Sequence, residues 1–147
     1  LPISSSRPAV GGRATLTADG LAVAPASAPA AVKQIIAAAN EIARTPYIYG
    51  GGHRSFPQDA GYDCSGSVSY ALWGARLLRS PLVSGDFPAW GRRGRGRWVS
   101  IYGKADHVYM TVAGLRFDTS GLEKDGSRWH RSSRDPVGFG VSHPQGL

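Results

Sequence analysis

One cysteine, four histidines and ten carboxylate side chains are the groups in this 147-residue chain best suited to covalent or acid–base chemistry. The cysteine stands in Tyr62-Asp63-Cys64-Ser65-Gly66, where a glycine-rich loop passes into a helical pattern. A thiol at a helix start meets unpaired N–H groups and the positive end of the helix dipole. Both favour the thiolate, which is the nucleophilic form. The competing reading is a structural cysteine, because free Cys is among the most buried residue types. A single cysteine forms no internal disulfide, so compartment is not legible from bridges.

A cysteine nucleophile needs a base, and the base needs a partner that fixes its tautomer. His107, Tyr109 and Thr111 alternate with Val108, Met110 and Val112. The apolar set faces a core, which leaves His107 on the opposite, accessible face. With Ala113-Gly114 as a two-residue turn, Val112 faces Leu115 and Tyr109 faces Asp118, and Asp118 comes within reach of His107. The result is a Cys64–His107–Asp118 triad. A three-residue loop would present Thr119 instead. A satisfied structural histidine and a turn-forming carboxylate are the competing readings. His53, ahead of the nucleophile, is placed either to contact substrate or to order its loop. His130 and His143 lie in polar segments without motif context and read as bystanders. Scattered His and one Cys lack zinc-ligand spacing, and no Gly-Lys-Ser/Thr follows the glycines at 50–52. Neither metal nor cofactor is expected.

The elements that must position these groups follow from periodicity. Val32, Ile35, Ile36, Ala39, Ile42 and Ala43 predict a helix over 30–44, entered at Pro29 and stopped by Thr45-Pro46. The loop Gly50-Gly51-Gly52-His53 allows close backbone approach or positive φ. A second helix is predicted over 64–78, with Asp63 as N-cap and Val68, Leu72, Ala75 and Leu78 as its buried stripe. Strands are predicted over 98–102, 107–112, 115–119 and 137–141. Helices first and strands afterwards predict an α+β domain, with N-terminal helices packed on an antiparallel sheet. Residues 1–29 read as a flexible extension or linker with room for a small hairpin around Asp19-Gly20, and 30–147 as the working domain.

The chain begins at Leu1 without a signal-peptide pattern, as expected of a mature form whose export signal lies outside it. No apolar run is long enough to span a bilayer. The charge of +7 and pI near 10.1 predict attraction to polyanions. Arg92, Arg93, Arg95 and Arg97 cluster between Trp90 and Trp98. The tract is short and stands alone, which suits a solvated basic loop better than a nucleic-acid segment.

Pro46-Tyr47-Ile48-Tyr49-Gly50-Gly51, Tyr62-Asp63-Cys64-Ser65-Gly66-Ser67 and His107-Val108-Tyr109-Met110 together resemble the NlpC-type cell-wall cysteine peptidases. The resemblance covers about residues 30–121. It implies a compact papain-like domain that cleaves amide bonds in bacterial peptidoglycan stem peptides, most often between D-glutamate and the diamino acid. It maps the nucleophile onto Cys64, the base onto His107 and the orienting residue onto Asp118. It also implies that Tyr49 lines the catalytic centre and that Asp63 and Ser65 help hold substrate beside the thiol. The family's third residue is usually His, sometimes Asn or Gln, and the residue before its base is commonly Gly. Here those positions hold Asp118 and Asp106. A secreted monomer in the wall or periplasm is the resulting expectation. Anionic wall polymers would meet the four arginines, and nucleic acid is not an expected partner. Alternatives are a catalytically weak wall- or partner-binding module on the same fold, or a thiol acyltransferase or deamidase.

Overall fold

The computed structural model describes residues 12–54 and 59–147. The part of the expected flexible extension that falls on 1–11 lies outside the described residues. Strands β1 (Thr15–Leu16) and β2 (Ala22–Val23) form a two-stranded antiparallel hairpin around Asp19-Gly20. A flexible linker is not what 12–29 becomes. Asn40 reads the Ala22 backbone with both amide atoms, at 3.0 and 2.9 Å, and the Ser127 hydroxyl donates to the Gly20 carbonyl. Ala14, Ala22 and Ala28 are buried, being small enough to let this backbone lie against the domain.

Helix α1 (Ala30–Ile42) buries Val32, Ile35, Ile36, Ala39 and Ile42 along the expected stripe. Helix α2 (Cys64–Gly74) is shorter than its pattern suggests. It ends at Gly74, and Arg76 adopts φ 61°, which turns the chain back. Every residue from 64 to 72 is buried, because α2 is packed between α1 and the sheet. A single 3-10 turn (Ser84–Asp86) leads into a one-turn α3 (Phe87–Trp90), neither evident from periodicity.

The remaining elements are β3 (Arg92–Arg93), β4 (Val99–Lys104), β5 (His107–Val112), β6 (Leu115–Phe117), a one-turn α4 (Leu122–Asp125), β7 (Trp129–His130) and β8 (Gly140–His143). Apart from α4, they build an antiparallel six-stranded sheet in the order β3-β8-β4-β5-β6-β7. The molecule is therefore α+β, as expected. The last strand starts later than predicted, since Pro136 to Phe139 closes a turn that leaves Val137 80% exposed. Val108, Met110 and Val112 enter the core, and Phe117 and Trp129 pack beside them.

Register at the β5–β6 turn decides the site. Val112 pairs with Leu115, Thr111 with Arg116 and Met110 with Phe117, so the loop has two residues. Ala113 and Gly114 take φ 48° and 89°, the positive values that the tight hairpin demands at both positions. The Asp118 N–H continues across to the Arg128 carbonyl at 2.8 Å. Among the described residues, no helix is long and apolar enough to cross a membrane.

Candidate active site

Cys64 is the first residue of α2. Its N-cap Asp63 takes the Gly66 N–H on Oδ1 at 2.8 Å and the Gly50 N–H on Oδ2 at 3.0 Å, which binds the glycine loop to the helix start. The fit is tight: a Cβ on Gly66 would come 2.1 Å from the Gly51 carbonyl oxygen. His53 Nε2 lies 3.0 Å from Asp63 Oδ1 and 2.8 Å from Ser65 Oγ. Of its two expected roles, the geometry gives His53 the ordering of this loop. Ser65 is buried beneath it.

The thiol is mostly buried, and its Sγ lies 3.3 Å from the Ser84 hydroxyl at the start of the 3-10 turn. From β5, His107 stands beside the thiol on one side, near enough for each to shift the other's protonation. Its Nε2 donates to Asp118 Oδ1 at 2.8 Å on the other, which leaves Nδ1 for the sulfur. Cys64, His107 and Asp118 thus stand in line. Burial alone would lower the affinity of His107 for a proton. The bonds to Asp118 and Cys64 outweigh it and push its pKa up to about 9. Burial would likewise raise the Cys64 pKa. Hydrogen bonds from His107, Ser84 and the Val108 backbone, with the imidazolium charge, bring it below the ordinary value instead. With a pKa of about 9 the imidazole carries its proton at neutral pH, and its charge pulls the Cys64 thiol toward the thiolate.

Asp118 has no exposed side-chain surface. Oδ1 also accepts the Ser120 N–H at 3.0 Å, while Oδ2 accepts from Arg116 and, at 2.9 Å, from Arg134. Burial works against its charge, but the bonds from His107, the Ser120 N–H and Arg134 hold the carboxyl well below the usual range. The guanidinium of Arg134 lies 5.2 Å over Tyr109 and 5.4 Å over Phe139. Phe139 stands edge-on to His107 at 6.2 Å and Tyr102 stacks on Tyr109 at 4.8 Å. The face of β5 that bears His107 is therefore walled by aromatic rings from β4 and the segment before β8.

Tyr49 is a correction. Its side chain is 91% exposed, at the corner where the Gly51 N–H bonds back to the Ile48 carbonyl, and it does not line the centre. Tyr47, two residues earlier, is half-exposed and close enough to feel Cys64. Its pKa is raised by burial first, then by the Cys64 and Asp63 charges. The Pro46 carbonyl, just before Tyr47, is held by Arg128 and by the Tyr62 N–H.

Sequence reasoning missed Ser84, Arg128 and Arg134, which lie outside the periodic and motif segments, and Arg116, whose place two residues before Asp118 on a predicted strand puts it on the same face. It also misplaced His130. That ring is buried, with Nε2 on the Asp118 carbonyl at 3.0 Å and Nδ1 on Asp125 Oδ2 at 2.7 Å, and so braces the backbone of the orienting residue. His143 holds the basic tract to β8 through the Gly94 carbonyl at 2.8 Å. Arg92 and Arg93 form the edge strand β3, and all four clustered arginines are exposed. Among the described residues no group of three or more His, Cys, Asp or Glu is placed to hold a metal.

No known family's sequence profile matches the chain, and a search of curated proteins finds no match.

Proposed function

We propose that this chain is a papain-like cysteine hydrolase of the NlpC type, which cuts an amide bond in the stem peptide of bacterial peptidoglycan. The observation that carries the proposal is a thiol at a helix N-terminus beside an imidazole whose far nitrogen is held by a buried carboxylate. The bond between D-glutamate and the diamino acid is the preferred target on the strength of the motif resemblance.

In this reading the Cys64 thiolate attacks the scissile carbonyl. The Ser84 hydroxyl, the Val108 N–H and the Tyr47 hydroxyl are the polar groups closest to hand for the sulfur and the developing oxyanion. The His107 imidazolium gives its proton to the leaving amine as the C–N bond breaks, which leaves a thioester on Cys64. Neutral His107 then takes a proton from water, whose oxygen attacks the thioester. The acid product departs and the thiol is restored. Asp118 keeps the ring in the tautomer and direction that both steps need. An intact relay with a favoured thiolate argues for catalysis over a weak binding module. The exposed Arg92, Arg93, Arg95 and Arg97 suit docking to anionic polymer at an extracellular wall.

Purified muropeptides digested by the protein should yield a sugar-bound dipeptide and a free diamino-acid peptide by mass spectrometry. Cys64→Ala should abolish this while shifting the melting temperature little. Release of an intact stem from the sugar would replace the proposed bond with the lactyl–alanine amide. No new product from any wall fragment would overturn the reading.

A further inference from the structure

A buried carboxylate beside a catalytic imidazole carries an inherent conflict. It orients the ring, but its full negative charge also binds the imidazolium proton so firmly that the ring becomes a poor acid toward a leaving amine. In this molecule two guanidiniums meet that carboxylate. Arg116, on β6, donates to Asp118 Oδ2 and anchors itself on the Ser132 carbonyl at 3.0 Å and the Ser132 hydroxyl at 3.2 Å. Arg134, from the segment after β7, donates to the same Oδ2 at 2.9 Å and to the Ser120 hydroxyl at 3.0 Å. The two arginines occupy one oxygen, and His107 and the Ser120 N–H occupy the other.

We propose that Arg116 and Arg134 are positioning residues that act on His107 through Asp118, fixing the direction of the carboxylate and lowering the ring's hold on its proton. Neither needs to touch substrate. Sharing Oδ2 prevents the carboxylate from turning about its own axis, so Oδ1 stays aimed at Nε2. Two positive charges behind the carboxylate also offset part of the field it exerts on the imidazolium.

The inference rests on the proposed reading of the triad. The groups that bear on the ring are Cys64 from α2, Asp118 and Arg116 from β6 and its continuation, Arg134 from the segment after β7, and Tyr109 on the same strand. Lys104 and Asp106 flank it at the β4–β5 turn, where they pair with each other at 3.7 Å. Of the two arginines, Arg134 is the safer to replace, since its side chain is 30% exposed and that of Arg116 only 11%.

The test is an NMR titration of the His107 imidazole in isotope-labelled protein, which reads the ring directly and needs no substrate. Arg134→Gln should raise the pKa of the ring by about one unit, the order expected for removing one charge at such range in a partly screened site. Arg134→Lys, which restores the charge without the fork, should return it to near the parent value. Arg116→Gln should shift it in the same direction if it folds, and Arg134→Gln carries the test if it does not. A ring pKa unchanged or lowered by Arg134→Gln in a folded protein overturns the inference. Failure to cleave any wall peptide would sink the proposed function and leave this titration valid.

Discussion

Two buried charges in this molecule are handled in opposite ways. Asp118 is a carboxylate surrounded by charge, with His107, Arg116 and Arg134 all donating to it. Arg128 is a guanidinium surrounded by dipoles. It is fully buried, and among the described residues no carboxylate is within ion-pair distance. Its Nε donates to Ser67 Oγ, Nη1 to the Ile42 and Thr45 carbonyls, and Nη2 to the Pro46 and Tyr62 carbonyls, at 2.7 to 3.2 Å. Charge met by dipoles makes a staple that is insensitive to pH across the neutral range. Charge met by titratable charge makes a tunable site. The two are joined, since the Asp118 N–H donates to the Arg128 carbonyl.

The sharpest break of this comparison is at the staple. Arg128→Met leaves several buried carbonyls without donors and should cost about 3–5 kcal/mol of stability, read as a lower urea midpoint. Arg128→Lys keeps a charge but not the planar fork, and should recover less than half of that loss. If Arg128→Met instead unfolds at the parent midpoint, the dipoles are satisfied without it and the contrast fails.

Asp118→Asn tests the other side. It keeps an acceptor for Nε2 but removes the charge that raises the His107 pKa to about 9, so that pKa should fall. The proton would then be released at lower pH, and the alkaline limb of a kcat profile should move down with it. The rate should fall about 10- to 100-fold, as for a residue that orients rather than reacts. Thr119→Ala should leave both unchanged, because the two-residue turn sets Asp118 and not Thr119 against the ring.

Much of this was legible. Alternation along 107–112 and the Ala113-Gly114 turn are local signals, and they suffice to bring Asp118 to His107. Asp63 as N-cap and the apolar stripe of α1 are equally local. Tyr47 against Tyr49 was not legible, because both sit in one short motif and nothing local tells the half-exposed ring from the one left 91% exposed. Ser84 reaches the thiol only because α2 ends early and the chain turns back after Gly74. Arg128 and Arg134 carry no periodicity, whereas strand alternation alone puts Arg116 on the face of Asp118. Their meaning comes from what they meet in three dimensions.

A smaller effect separates the two tyrosines. Tyr47→Phe should lower kcat about 10-fold with little change in KM, as expected of a hydroxyl acting on developing charge. Tyr49→Phe, in solvent, should change neither. Equal losses in the two variants would mean that the loop, not one hydroxyl, is the contributor.

The smallest expected effect is the pH dependence of stability. The pKa of Asp118 is depressed on folding, so its contribution is complete above about 4 and is lost as pH falls. The pKa of His107 is raised from 6.5 to about 9, so its contribution is complete below about 6.5 and fades as pH climbs through about 9. The urea midpoint should therefore be highest between about pH 4 and 6.5 and decline on both sides. Asp118→Asn should flatten the alkaline decline. Burial lowers the pKa of Arg128 to about 10, still far above this window. Arg128→Met should thus lower the whole curve evenly, and a loss confined to one limb would merge the two regions into a single electrostatic unit.

The partners of the Arg128 side chain lie 61 to 86 residues before it. On a ribosome, Cys64 and both long helices emerge well before the residue that ties their loops together. Synthesis runs from the N-terminus, so the thiol exists for dozens of residues without its base, then without its orienter, and finally without the Arg134 wall. A nascent or prematurely ended chain therefore carries the thiol without the groups proposed to act with it. The order of the sequence acts as a timer: the imidazole, the carboxylate that holds it and the arginines that hold that carboxylate join the thiol only late in synthesis.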